Sequence, residues 1–205
     1  YDLLLHTAPK PIETAPILLV GATDRFPRTI GHETRRDDYR RLLAILSREG
    51  AKTVTFDIFF PYRGDSAEDE AFADAIGRTP HVILPVFTSL PFERFSPKTV
   101  SWKTRNLIEN DPLFQRRASL GHINTFVSRD KLVRKLPAAI SYGTTRYAQI
   151  SIVTLEHYRE RAAGEEIIGW KIPQANTIPL DNDGCFAIRF LPKQTIERHF
   201  IPMED

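Results

Sequence analysis

Cysteine is almost missing from this chain: Cys185 stands alone among 205 residues, so no internal disulfide can form and no thiolate zinc site can be built. Long apolar runs are missing too, since none approaches the roughly 20 residues that a membrane-spanning helix needs. Neither sign of charge is in excess. With 28 basic and 26 acidic residues the net charge is +2, which gives no strong pull toward nucleic acid, although a pI of 8.7 allows a weakly basic surface. Repeats and low-complexity tracts are absent, and so are several catalytic signatures. No G-x-S-x-G nucleophile elbow occurs. His32-Glu33 starts like a zincin helix, but no second His follows at the required spacing. Gly21 lacks the clustered glycines of a phosphate-binding loop, and nothing in the sequence calls for a cofactor.

What is present is enough apolar content, 41%, to bury one good core, and the expectation is a single domain over residues 1–205. The chain begins at Tyr1 rather than Met and reads as a segment of something larger. Its organising stretch is Tyr39 to Phe60. Tyr39, Leu42, Leu43 and Leu46 fall at i, i+3, i+4 and i+7, one apolar stripe on a helix, with Arg40, Arg41, Arg48 and Glu49 mostly outside it. Gly50 can take the left-handed conformation that closes a helix, and Val54, Phe56, Ile58 and Phe59 then favour a strand. Asp57 sits inside that apolar run. Because an unpaired carboxylate is costly to bury, it is expected at the strand's exposed carboxyl end, where open α/β sheets form their crevices.

Upstream, Pro9, Pro11 and Pro16 make an extended linker after Tyr1-Asp2-Leu3-Leu4-Leu5, which reads either as a last helical turn or as a frayed terminus. Ile17 to Val20 looks like a central parallel strand and leads to Asp24, which repeats the geometry expected of Asp57. Thr34 and Asp37 resemble a capping box for the first helix. Downstream, Asp65 or Ser66 caps a second helix with Glu68, Asp69 and Glu70 in its first turn and Phe72, Ala75 and Ile76 as its apolar side. His81 to Phe87 gives a further strand, with Pro85 expected near an edge or bulge. The order β-α-β-α-β argues for parallel strands with helices packed on them. Residues 89–119, punctuated by Pro91, Pro97 and Pro112 and studded with Phe92, Phe95 and Trp102, are expected as an irregular lid whose aromatics either plug onto the core or face a ligand.

Beyond the lid the spacing becomes that of hairpins. Leu120 to Val127 and Leu132 to Leu136 read as two antiparallel strands, with His122, Asn124 and Phe126 on one face. A helix from about Ala148 to Ala163 follows, then a closing hairpin, Thr177 to Leu180 and Cys185 to Phe190, around Asp181-Asn182-Asp183-Gly184. The expected fold class is therefore α/β: a three-layer-like mixed sheet with parallel N-terminal strands and antiparallel C-terminal hairpins.

The residues singled out as ligand-binding candidates are Asp24, Asp57, His122, Asn124 and Arg134, with none assigned to catalysis or to a metal. For Asp24 and Asp57 two readings stand together: they bind a ligand, or they cap helices and accept loop amides that shape the crevice. His122 and Asn124 equally suit satisfied strand polar groups, and Arg134 suits an ion pair with one of the aspartates. Arg35, Arg36, Arg40 and Arg41 read as a solvated helix face, with a membrane-surface contact as the alternative.

These pieces, in order, resemble a known family. Tyr1-Asp2-Leu3-Leu4, the strand ending at Asp24, the block from Tyr39-xx-Leu42-Leu43 through Gly50-Ala51 to Phe56-Asp57-xx-Phe60, then Gly121-His122-Ile123-Asn124, Arg134 with Pro137, and Ile178-Pro179-Leu180 to Gly184 and Phe190 are similar to the second class of CHASE domains, the cyclase/histidine-kinase-associated sensory extracellular domains. The resemblance implies a non-catalytic sensor outside the bacterial cytoplasmic membrane, in the periplasm or beyond. It implies flanking transmembrane helices, a small-molecule or protein signal, and a cytoplasmic cyclase or protein kinase as effector. A homodimer is compatible with it. Two competing functions remain at this point: a metal-dependent hydrolase using Asp24 and Asp57, and a module that senses nothing and only dimerises its parent protein.

Overall fold

The computed structural model describes residues 17–203 apart from 24, 90, 160–170, 173–175 and 189–192. It is mixed α/β, and it divides into two compact units: the described parts of Tyr1–Arg35 with Ile188–Asp205, and Arg36–Ala187. In chain order the first elements are β1 (Leu19–Gly21), α1 (Phe26–Ile30), α2 (Arg36–Arg48), β2 (Val54–Thr55), α3 (Ser66–Arg78), β3 (Val82–Val86), β4 (Phe95–Ser96), β5 (Ser101–Thr104), α4 (Pro112–Gln115) and β6 (Ser119–His122). Then come β7 (Phe126–Val127), β8 (Val133–Pro137), β9 (Ala139–Tyr142), β10 (Thr145–Ala148), α5 (Ile150–Tyr158), β11 (Lys171–Ile172), β12 (Asn176–Thr177), β13 (Cys185–Ala187), α6 (Lys193–Arg198) and β14 (Phe200–Pro202).

In the larger unit α2 forms as its periodicity requires, with Tyr39 and Leu43 buried and Asp37 and Asp38 in the first turn. Gly50 closes it at φ +82°: Ala51 N–H donates to the Leu46 carbonyl at 2.9 Å and Gly50 N–H to the Ser47 carbonyl at 3.2 Å, the paired bonds of a Schellman turn. Asp65 caps α3, accepting from the Ala67 and Glu68 amides at 2.9 and 3.0 Å. The two helices deliver Tyr39 and Phe72 to a cluster completed by Phe56, Phe60 and Phe114, with neighbouring ring centroids 5.0 to 6.2 Å apart. Each edge-to-face pair contributes about 0.5–1.5 kcal/mol beyond area burial.

The parallel sheet has the order β2-β3-β6. β3 is buried along its whole length and lies in the middle, so Pro85 is not on an edge strand as expected. Its tolerance has a local cause. Odd-numbered residues of β3 face β2, which ladders only as far as Thr55↔Ile83 plus one bond from Phe56 N–H to the Ile83 carbonyl at 3.0 Å. By residue 85 no β2 carbonyl is waiting for an N–H, and a proline costs no ladder bond there.

Three further sheets lie in this unit among the described residues. One has the order β10-β9-β5-β4, mixing parallel β5/β9 with antiparallel β4/β5 and β9/β10; the second is antiparallel, β13-β8-β7, and the third pairs β11 with β12 antiparallel. Residues 89–119 thus carry two strands and a helix rather than an irregular lid; Phe92 and Trp102 pack with Phe126 and with each other, and Phe95 packs with Trp102, at centroid distances of 5.1 to 5.8 Å. Leu120–Val127 does not run as one strand: β6 adds to β3 in parallel, and only β7 pairs antiparallel with β8. The Asp181–Gly184 turn closes as expected, Asp181 N–H donating to the Cys185 carbonyl at 2.8 Å, but β13 ladders with β8, and β12 with β11. Gln149 caps α5 with its side chain, and the helix runs from Ile150 to Tyr158; residues 160–163 of the expected continuation lie outside the described residues.

In the smaller unit β1 pairs in parallel with β14, from Leu19↔Phe200 to Gly21↔Pro202. Ile17, Leu18, Leu19, Phe200 and Ile201 are exposed. The expected central, buried strand is instead one of two strands. Its apolar run states that it wants burial but not beside which partner. The readings of Tyr1 to Leu5 and of the proline linker lie outside the described residues.

Gly121, paired with Pro85, shows how tightly α5 sits on the parallel sheet: a Cβ there would lie 2.6 Å from the Ile150 Cα. Gly121→Ala should therefore destabilise the chain by about 1–3 kcal/mol through overpacking against backbone. Gly64→Ala, which meets nothing within 4 Å, should be neutral or stabilising by up to ~1 kcal/mol. Urea unfolding of both variants checks the contrast, and equal stabilities would refute the tight seat.

Candidate functional site

The carboxyl-end rim of the parallel sheet is assembled where β2, β3 and β6 stop. β2 leaves after Phe56, and the chain of residues 108–110 takes its place beside β3, running the other way. Phe87 and Ile108 exchange two backbone bonds of 3.0 and 2.7 Å, and Asn110 Nδ2 donates to the Pro85 carbonyl at 2.8 Å. The Asn110 Oδ1 accepts from the Phe60 amide at 2.7 Å, so one buried side chain satisfies both groups that the departing strand leaves open. On the opposite side of β3, Asn124 closes the rim. Its Oδ1 accepts from the Thr88 amide at 3.0 Å and its Nδ2 donates to the Thr88 carbonyl at 2.8 Å. The Thr88 hydroxyl continues inward to Thr104 and Asn106, each at 2.6 Å.

Against that frame the candidate residues separate. Asp57 follows the last ladder bond of β2, is exposed, and makes no hydrogen bond or ion pair among the described residues. It is a carboxylate available at the rim. Asn124 stands on the same rim with both amide groups engaged by Thr88. His122, the last residue of β6, is fully buried, and neither ring nitrogen reaches a hydrogen-bonding partner among the described residues. Burial pushes its pKa down to about 3, opposed by the backbone of Pro137 and Ala138, so the ring is neutral at ordinary pH. Arg134 belongs to the β7-β8-β13 sheet, where its guanidinium meets Asp130 at 2.7 Å. Asp130 is its partner in this hairpin, and no pair with Asp57 forms.

Asp24 lies outside the described residues. The strands leading to the two aspartates do not ladder with each other: β1 bonds to β14 and β2 to β3. Both runs are short and apolar, and such runs specify burial without specifying a neighbour. Among the described residues no group of three or more His, Cys, Asp or Glu side chains comes together as could hold a metal ion.

Sequence reasoning missed two of the residues that build this region and gave two others a different role. Asn110 and Thr88 carry no local signal, since their partners are 25 to 50 and 36 residues away. Arg36 and Asp69 read as a solvated base and a first-turn acid, yet Asp69 is completely buried. Its Oδ2 accepts from the Gly64 amide at 2.7 Å, and its Oδ1 lies 3.3 Å from Arg36 Nε. The Arg36 guanidinium rests 4.7 Å from the Phe60 ring centroid and donates to the Tyr62 carbonyl at 3.0 Å. The available signal was the i, i+3 spacing of Asp69 and Phe72, which puts the carboxylate on the apolar side of α3.

The buried imidazole fixes a pH dependence. An unfolded His titrates near 6.5 and His122 in the fold near 3, so its contribution is intact above about pH 6.5 and declines as the pH falls between those values. The slope reaches up to ~1.4 kcal/mol per pH unit. His122→Gln should flatten the fall of unfolding free energy between pH 6 and 4 by about that amount. Urea titrations at each pH measure it, and parallel slopes would contradict the assignment.

The chain matches the family model of the CHASE2 domain from residue 1 to residue 205. No curated protein and no solved structure matches it. A family match over the whole chain, on a mixed α/β fold, decides the membership: the chain belongs to the CHASE2 domain family, a family of extracellular, non-catalytic sensory domains of receptors.

Proposed function

We propose that residues 1–205 form one sensory domain of a bacterial transmembrane receptor, lying in the periplasm or outside the cell, with flanking membrane helices and a cytoplasmic cyclase or protein kinase as effector. The observation that carries this reading is the family match along the full length of the chain. The signal, a small molecule or a protein, meets the carboxyl-end rim, where Asp57 supplies an unpaired carboxylate. Asn124 and His122 hold the rim's shape, and Arg134 with Asp130 sets the adjoining hairpin. Binding there shifts an equilibrium between two arrangements of the domain only by the difference in the signal's affinity for them. The two chain ends then pass that shift to the membrane helices, in a monomer or a homodimer.

The location can be tested without knowing the signal. Cys185 is buried, and burial pushes its thiol up to about 11, so it stays protonated and slow to react near pH 7.5. Tyr62 is 79% exposed. Tyr62→Cys in the full-length protein should be labelled by a membrane-impermeant maleimide on intact cells, at least about tenfold faster than wild type. Labelling that appears only after lysis would overturn the extracytoplasmic placement.

A further inference from the structure

At the amino-terminal edge of the same parallel sheet, away from the rim, two histidines from different elements lie face to face. His81 immediately precedes β3 and His157 lies in the last turn of α5; their ring centroids are 4.7 Å apart at an interplanar angle of 25°. His157 Nε2 is hydrogen-bonded to Ser119 Oγ of β6 at 2.8 Å, and the His81 carbonyl accepts from Val54 N–H of β2 at 3.1 Å. The pair thus joins all three strands to the carboxyl end of α5. His81 holds a left-handed backbone, φ +48°, a conformation uncommon for a residue other than glycine.

Stacked in parallel planes, the two rings aim their lone pairs side by side rather than at a common point, so the geometry does not suit a shared metal ion. It suits protons. Two neutral imidazoles stack favourably, whereas two imidazoliums at this distance repel. Burial and the positive charge that His81 can carry both hold the His157 pKa down, in that order. The other titratable groups on the elements meeting here do not relieve that repulsion. Lys52 sits 5.5 Å from the Tyr158 ring centroid, Arg78 and Arg117 are both engaged by Asp74, and Glu156, beside His157 on α5, has an interaction of its own. Arg159 adds another positive charge to the end of α5.

We infer that the His81–His157 stack is a proton-binding site whose double protonation in mild acid releases the carboxyl end of α5 from the parallel sheet. The sign is set by repulsion: the closed stack persists above about pH 6.5 and opens as the pH falls below it. The chemistry stands on this geometry. Its meaning as an acid signal rests on the sensory function proposed above.

The test uses the 205-residue chain with protons as the only ligand. Amide protection factors, corrected for intrinsic exchange, are measured by NMR at pH 7.5, 6.0 and 5.0. Protection at residues 155–159 should drop at least about tenfold on acidification while that of α3 holds. His81→Phe keeps a ring for the stack and removes the charge, and should hold protection within about twofold. Unchanged wild-type protection, or an equal loss in the variant, would overturn the inference. If His81→Phe folds poorly, the wild-type ring-proton titration decides: the two histidines should titrate in linked steps, and independent, unlinked curves would refute the site. In the full-length receptor, effector output that ignores pH while the stack opens would count against the sensory role and leave the proton site standing.

Discussion

The buried amide of Asn110 donates to the Pro85 carbonyl and accepts from the Phe60 amide, and much of the larger unit depends on that double bond. β2 abandons the sheet after two residues, leaving the flank of the central strand open at the height of a proline. Without a replacement, the Pro85 carbonyl and the Phe60 N–H would be buried and unpaired, at about 1–3 kcal/mol each. Asn110 supplies both partners. Ile108 continues the repair against Phe87, and Asp111 N–H donates to the Phe60 carbonyl at 2.8 Å. The early exit of β2 has a second result: Asp57 is carried clear of the ladder and becomes the exposed carboxylate of the rim.

Phe60, held by Asn110, is also the centre of the aromatic cluster, and the two arrangements support each other. The ring meets Tyr39, Phe56, Phe72 and Phe114, and carries the Arg36 guanidinium on its face. That guanidinium stands beside the fully buried Asp69 carboxylate, so the α2–α3 helix pair is joined by a charge pair whose walls are aromatic. Removing one partner of such a pair leaves the other charge buried alone, which is why these positions are less tolerant than their helix-surface spacing suggests.

What the sequence discloses here is what acts over short distances. The stripe of α2, the Gly50 closure, the Asp65 cap and the burial of β3 all follow from residues within one or two turns of each other, and the parallel alignment of β2 with β3 follows from the helix that connects them. What it conceals is partnership at long range. The run Leu19 to Gly21 finds β14 some 180 residues later, and β6 joins β3 from across the β4–β5 hairpin rather than turning straight into β8. Of the candidate site, the exposure of Asp57 was legible because a lone carboxylate in an apolar run belongs at an open strand end. Asn124, engaged at both amide atoms by Thr88, matches the satisfied strand group that was one of two readings, whereas His122, buried with neither ring nitrogen partnered among the described residues, does not. Asn110 was not legible at all, since an asparagine before Asp111-Pro112 reads as a helix approach and nothing local ties it to Phe60.

One side chain completes the flank of β3 where β2 leaves the sheet, and Asn110→Ala tests that directly. Unfolding free energy measured by urea denaturation should fall by about 2–6 kcal/mol, the cost of two buried backbone groups losing their partner. The Phe60 amide should at the same time lose its slow hydrogen exchange. A loss below ~0.5 kcal/mol, the range of an ordinary surface substitution, with Phe60 still protected, would contradict it.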